Sequence, residues 1–139
     1  MQAIIMAGGF GSRLRPLTDH LPKPMVPIIN KPILEYIVEH LRACCIRDIA
    51  MTLGYRPEII MDYFGNGDAW DVDIRYFVET TPLGTAGGVR NAARKMDDDV
   101  LVVSGDGFTN LDFAQLAHAH KSGGCDVTMA LKQVRDARG

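Results

Sequence analysis

The chain has little of what would mark a secreted, membrane-bound or nucleic-acid-binding protein. Its 139 residues include three cysteines, Cys44, Cys45 and Cys125, an odd number without a spaced framework. Adjacent cysteines seldom pair with each other, because the geometry is strained. That usage points to a reducing cytoplasm. No apolar run approaches the ~18 residues of a membrane-spanning helix. Met1–Ala7 lacks a basic segment and is too short for a signal peptide. Basic charge is not in excess either. The formal net charge of −2 leaves no basic face for nucleic acid. At 47% hydrophobic and 23% charged, the composition is that of a soluble globular chain rather than a disordered one. The length allows one domain with a real core.

What is present alternates between two periods. Gln2–Met6 is short and apolar, a buried strand. Asn30 is expected to cap a helix with Pro32 in its first turn. Ile33, Leu34, Ile37, Val38 and Leu41 then follow helical spacing. Asp48–Leu53 reads as the next strand, ended by Gly54, and Pro57–Phe64 as a short helix stopped by Gly65. Val72, Ile74, Tyr76 and Val78 alternate with more polar residues, as in a strand with one less apolar face. A helix capped by Thr85 is expected to run to about Met96, weakened by Gly87 and Gly88. Val100–Val103 is a continuous apolar strand, Leu111–Lys121 a helix with Asp112 as a cap, and Asp126–Leu131 a final strand. Asp97–Asp99 reads as a solvated turn and Val134–Gly139 as a polar end without a helix cap. This order predicts an α/β fold with a mostly parallel sheet and helices on both faces.

The chemistry concentrates behind the first strand, in GGFGSRLRPLTDHLPKPMVPI from Gly8 to Ile28. From Gly8 to Lys31 the cations Arg13, Arg15, Lys23 and Lys31 face a single acid, Asp19. This is a local balance of +3, so the rest of the chain sums to −5. Gly8, Gly9 and Gly11 free the backbone to wrap closely around a ligand. The G-x-G-x-x-G fingerprint fails, because from Gly9 its last position is Leu14, and no lysine follows a glycine as Walker A requires. Backbone N–H groups near Gly8–Ser12 can form an anion nest, and Arg13 offers a forked pair of donors. Lys23 stands between Pro22 and Pro24, which stiffen its stem and favour an extended backbone.

Two further stretches follow strands. Glu79–Gly88 (ETTPLGTAGG) is a second glycine-bearing loop that should open at the same sheet edge. Small residues there admit a flat ring, and Glu79, an acceptor-only carboxylate, suits the N–H edge of a guanine. Ser104-Gly105-Asp106 ends the fourth strand, and a carboxylate there suits a hard cation such as Mg²⁺. His118 and His120 are two apart on a helix and point to different faces, so they make no metal pair. Cys44 and Cys45 read as core or near-core thiols at a helix end.

With GGFGSRLRPLT, PKPMVPI and ETTPLGTAGGV on the page, the sequence resembles the sugar-nucleotide pyrophosphorylases, nucleotidyltransferases acting on sugar 1-phosphates. The third stretch is more similar to the mannose-1-phosphate guanylyltransferases than to the glucose-1-phosphate thymidylyltransferases. The resemblance implies a Rossmann-like three-layer sandwich of the glycosyltransferase-A-like type. Residues 1–139 would form its N-terminal nucleotide-binding part, and the sheet would be truncated. It further implies that Gly8, Gly9, Gly11 and Ser12 line the triphosphate, with Ala7 and Gly8 near the base. Arg13 and Lys23 would be the catalytic cations. Glu79, Pro82 and Gly84 would border the base, and Asp106 would hold Mg²⁺. The substrates would be GTP and mannose 1-phosphate. UTP or dTTP with glucose 1-phosphate, and a non-catalytic nucleotide-binding relative, stay open. In that family a second metal-binding Asp and the sugar-binding residues lie further along, so 139 residues alone are expected to turn over little. A truncated sheet edge would favour homo-oligomers.

Overall fold

Alternate residues of the first strand face two different cores, and the layers follow from that. The computed structural model describes residues 1–96 and 99–134. The expected turn at Asp97–Asp99 lies partly outside them, as does most of the tail Val134–Gly139. The strands are β1 (Gln2–Ala7), β2 (Pro27–Ile28), β3 (Lys31–Pro32), β4 (Asp48–Leu53), β5 (Asp73–Val78) and β6 (Val100–Ser104). The helices are α1 (Ile33–Ala43), α2 (Pro57–Phe64), α3 (Gly84–Ala93) and α4 (Phe113–Gly123). Ala3, Ile5 and Ala7 of β1, with Ile49, Met51 and Leu53 of β4, pack against Leu34, Ile37 and Leu41 of α1 and Ile60 and Phe64 of α2. Ile4 and Ala50 point the other way, against Ala92 and Val89 of α3. The period of two along each strand thus builds a helix layer on either side of one sheet.

The main sheet has the order β5-β4-β1-β6 and is parallel throughout. β1 pairs with β4 from Ala3↔Ile49 to Ala7↔Leu53, and with β6 from Gln2↔Val100 to Met6↔Ser104. The chain first builds outward from β1 through β4 to β5, then returns to the other side of β1 for β6. The order reverses between β1 and β6, and a parallel sheet opens its ligand crevice at the carboxyl ends of such a pair.

Outside the Gly8–Ile28 segment, four local expectations differ from the structure. Asn30 does not cap α1. Ile29 and Asn30 have φ of 51° and 63° and turn a small hairpin, in which Pro27↔Pro32 and Ile28↔Lys31 pair antiparallel. Two left-handed residues are what a tight two-residue hairpin needs, so the chain doubles back first and α1 begins at Ile33 with Pro32 in the cap position. Helix α3 starts at Gly84 and ends at Ala93, so Thr85 lies inside it rather than capping it. Among the described residues Asp126–Leu131 forms no strand. No neighbour pairs with it, and Val127, Met129 and Leu131 stay exposed. Cys45, with φ 61°, turns outward after α1 and is exposed, whereas Cys44 packs at the margin of the core. Asp112 does cap α4, accepting from the Ala114 and Gln115 N–H groups at 2.9 and 3.1 Å.

Leu41 is fully buried where α1 meets the sheet. Leu41→Ala is expected to lower stability by about 2–5 kcal/mol, measured as a shift in the urea unfolding midpoint.

Candidate nucleotide-binding cleft

β1 ends in the core, because Ala7 is only 2% exposed. The following loop is shaped by contacts that only glycine permits. Gly11 has φ 61°, and a Cβ there would stand 2.9 Å from Lys23 Cβ and 3.0 Å from Thr18 Cγ2. The Gly11 carbonyl accepts from the Leu14 N–H at 2.9 Å and from the Thr18 hydroxyl at 2.8 Å. Thr18 is 2% exposed, so a buried side chain fixes the orientation of the Gly11 peptide. Ser12–Leu14 then closes one 3-10 turn and presents Arg13 on an exposed face.

Lys23 is held stiffly, though not in the extended form expected from Pro24. Lys23–Met25 is a 3-10 turn, closed by Met25 N–H to Pro22 O at 2.8 Å and Val26 N–H to Lys23 O at 3.1 Å. Proline is tolerated in the first turn of a helix, where its missing N–H would have no partner anyway. Pro24 and Met25 are buried and anchor the turn.

From the opposite side, β6 delivers Asp106. The Gly105 N–H donates to the Met6 carbonyl at 2.8 Å, and a Cβ on Gly105 would stand 2.9 Å from that same oxygen. The chain therefore turns tightly at the end of β6 and points Asp106 into the cleft. Its carboxylate pairs with the Lys23 ammonium and accepts from the Ser104 hydroxyl. Partial burial opposes ionisation of Asp106, but the Lys23 and Ser104 hydrogen bonds and the Lys23 charge outweigh it. The carboxyl is held below its ordinary value of 3.8.

The third wall comes from the β5–α3 loop. The Glu79 N–H continues the sheet by donating to Leu53 O at 2.8 Å. Its carboxylate Oε2 accepts from the Leu83 N–H at 3.0 Å, and its other oxygen fills the space a side chain on Gly88 would need. Gly84, at φ 71°, opens α3. Glu79 is thereby tied to the loop it begins.

These walls enclose one open cleft of about 440 Å³ at the carboxyl ends of β1 and β6. Gly8, Gly9, Gly11, Ser12, Arg13, Lys23, Glu79, Gly84 and Asp106 all line it. Ala7 and Pro82 do not, since Ala7 is in the core and Pro82 is exposed on the loop outside the lining. Sequence reasoning missed Thr52 and Ser104 in the lining and Thr18 behind it. Ser104 had a signal, its place beside the Gly-Asp pair. Thr52 and Thr18 are lone threonines whose burial only the fold reveals. His120 contacts the Thr128 hydroxyl at 2.9 Å, away from the cleft. Among the described residues no three His, Cys, Asp or Glu side chains gather as a metal cluster.

Two outcomes follow. Gly11→Ala is expected to cost at least about 1–2 kcal/mol from left-handed backbone alone, with the Lys23 and Thr18 overlaps added, read as a lower urea midpoint. The low Asp106 pKa stabilises the fold fully above the unfolded carboxyl value, and that stability is lost as pH falls through the folded one. Wild type should therefore lose more stability than Asp106→Asn in urea titrations taken from pH 6 downwards, through about pH 3.9. Parallel curves for the two proteins would contradict this.

Comparisons with known proteins agree with this geometry. Residues 2–139 match the Nucleotidyl transferase family. A mannose-1-phosphate guanylyltransferase from Mycobacterium tuberculosis is 39% identical over 99% of this chain and 39% of its own length. A D-glycero-alpha-D-manno-heptose 1-phosphate guanylyltransferase from Aneurinibacillus thermoaerophilus is 40% identical over 98% of this chain and 59% of its own. The chain thus spans only part of the length of these relatives. The crystal structure of HddC from Yersinia pseudotuberculosis complexed with GMP-PN superposes with a TM-score of 0.78 at 30% identity, over 86% of this chain and 53% of that one. With its cleft at the expected sheet edge and its sequence matched nearly end to end, the chain belongs to the nucleotidyl transferase family.

Proposed function

We propose that this chain carries the nucleotide-binding part of an enzyme that joins a nucleoside triphosphate to a sugar 1-phosphate, releasing pyrophosphate. We assign GTP and mannose 1-phosphate as its substrates. One observation carries the reading. The glycine loop with Arg13, the ammonium of Lys23, the Glu79–Gly84 wall and the carboxylate of Asp106 converge on a single cleft. The names of the guanylyltransferase relatives support the choice of base.

The chemistry needs no protein nucleophile. An oxygen of the sugar phosphate forms a bond to the α-phosphorus, and the bond from that phosphorus to the β-bridging oxygen breaks. Arg13 and Lys23 are fixed positive charges on stiff turns, suited to holding the triphosphate and the departing pyrophosphate. The acceptor-only carboxylate of Glu79 suits the N–H edge of guanine. The Asp106 carboxylate and Ser104 hydroxyl are hard oxygen donors at the cleft wall. One carboxylate completed by phosphate oxygens and water is a donor set that fits Mg²⁺. When bound, Mg²⁺ would supply neutralisation of phosphate charge. In the free chain Lys23 and Asp106 neutralise each other.

Free thiols at Cys44, Cys45 and Cys125 support a cytoplasmic setting. No helix among the described residues is long and apolar enough to cross a membrane. The net charge of −2 speaks against a nucleic-acid partner. Among the described residues β6 has one open side, a surface with which a further strand or a second copy can pair.

Calorimetry on the chain with each nucleoside triphosphate, with and without Mg²⁺, tests binding, and GTP with Mg²⁺ is expected to bind tightest. Pyrophosphate release tests the reaction by crossing GTP, UTP, dTTP, ATP and CTP with mannose and glucose 1-phosphates on the protein that contains this chain. Arg13→Ala or Lys23→Ala is expected to slow that release by about 10²–10³. Near-wild-type rates in either variant would remove that residue from the mechanism.

A further inference from the structure

The turn that leaves β4 presses on the glycine loop at three places, Gly8, Phe10 and Asp19, of which only Gly8 lines the cleft. A Cβ on Gly54 would stand 2.7 Å from the Gly8 carbonyl oxygen, so glycine alone lets the end of β4 meet the loop's first residue. The next residue, Tyr55, sets its ring beside Phe10, with centroids 5.4 Å apart and planes at 46°. Its hydroxyl donates to the Asp19 carbonyl at 2.8 Å and accepts from Arg56 Nε at 3.2 Å. Arg56 sits at φ 46°, at the N-terminal cap of α2, and its guanidinium also lies 5.8 Å from the centre of the Tyr55 ring.

Phe10 and Asp19 bracket the segment that bears Gly11, Ser12 and Arg13. Between them the only regular structure is one 3-10 turn. Such a segment, left loose, must be ordered when ligand arrives, and that ordering subtracts from affinity. Phe10 remains 60% exposed even with the Tyr55 ring against it, so the contact adds little to the core. Its evident effect is to fix where the loop stands.

We propose that Tyr55 is a positioning residue, which holds the glycine loop ready for a nucleoside triphosphate by anchoring it at both ends. The ring fixes the entry at Phe10 and the hydroxyl fixes the exit at Asp19. Gly54 provides the close approach that lets one side chain reach both. The inference rests on the nucleotide reading of the cleft. It adds to that reading a residue that touches no ligand and acts only through the loop.

The test compares wild type with Tyr55→Ala, Tyr55→Phe and Phe10→Ala. Three quantities are measured on each protein: amide hydrogen exchange of residues 9–19 without ligand, the calorimetric affinity for magnesium GTP, and the melting temperature. Tyr55→Ala is expected to speed loop exchange and weaken magnesium GTP binding about tenfold, as ordering shifts to the binding step. Tyr55→Phe keeps the ring anchor and loses the Asp19 anchor. It is expected to recover part of the affinity at an unchanged melting temperature, and to speed exchange chiefly toward residue 19. Phe10→Ala alters an exposed side chain, and is expected to speed exchange chiefly toward residue 9. If Tyr55→Ala fails to fold, these two variants decide the matter. Loop exchange and affinity equal to wild type in the variants would overturn the proposal. Faster exchange with undiminished affinity would overturn it as well. A flat wild-type titration with every nucleoside triphosphate would instead overturn the nucleotide reading, a result distinct from any difference between variants.

Discussion

Pairing of β1 with a strand on each side is the constraint on which the rest of the structure depends. The register sets Met6 opposite Ser104 and Ala7 opposite Leu53. Three glycines, Gly8, Gly54 and Gly105, therefore leave the sheet at one level. Gly54 and Gly105 each make a close backbone approach, to the Gly8 and Met6 carbonyls, that a side chain would block. A slip of one residue between β1 and β6 would displace Asp106 along the strand by about 3.3 Å and turn the inward residues outward. The tight packing of Ile4 on one face and Ile5 on the other makes that slip costly. Burial of small aliphatic side chains thus fixes the position of a carboxylate that takes no part in the core.

The cleft is built from stiff pieces that carry opposite charge. Lys23 stands on a proline-bearing turn with two buried anchors, and Asp106 on a glycine turn clamped to Met6. Neither side chain gains its position from the other, since each stem is set by its own backbone contacts. The ion pair between them records a preformed arrangement. Such prior placement is what lets fixed charges act on a developing charge without reorganising.

The sequence made the layers legible because hydrophobic periodicity reports burial directly. β4 and α2 appear with the limits their apolar residues suggest, and β5 has the mixed burial its polar residues imply. The misses share a cause, which is that nonlocal partners overrode local preference. Asn30 has the chemistry of a helix cap, but the pairing of Pro27–Ile28 with Lys31–Pro32 made it a hairpin turn. Asp126–Leu131 alternates like a strand, yet pairing requires a neighbour, which it lacks among the described residues. Pro24 biases Lys23 toward extended backbone, but burial of Pro24 and Met25 selected the 3-10 turn. The charged and glycine residues of the cleft were visible because their types are unusual for a turn. Thr18, Thr52 and Tyr55 were not, since nothing local shows that a threonine will be buried or that a tyrosine will span a loop.

The cationic half of the cleft lies before Val26, whereas its acidic residues come later, Glu79 after β5 and the Lys23 partner Asp106 only after β6. The N-terminal strands and α1 can begin to pair as soon as they are made, but Lys23 has no Asp106 to face until β6 docks beside β1. Until then Lys23 lacks that partner, although Arg15 can already face Asp19 and Lys31 can face Glu39 of α1. An unpaired lysine in a basic segment attracts anions, and its pairing with Asp106 weakens that attraction. Docking of β6 beside β1 thus also pairs Lys23 with Asp106, leaving an ion pair with which a triphosphate must compete.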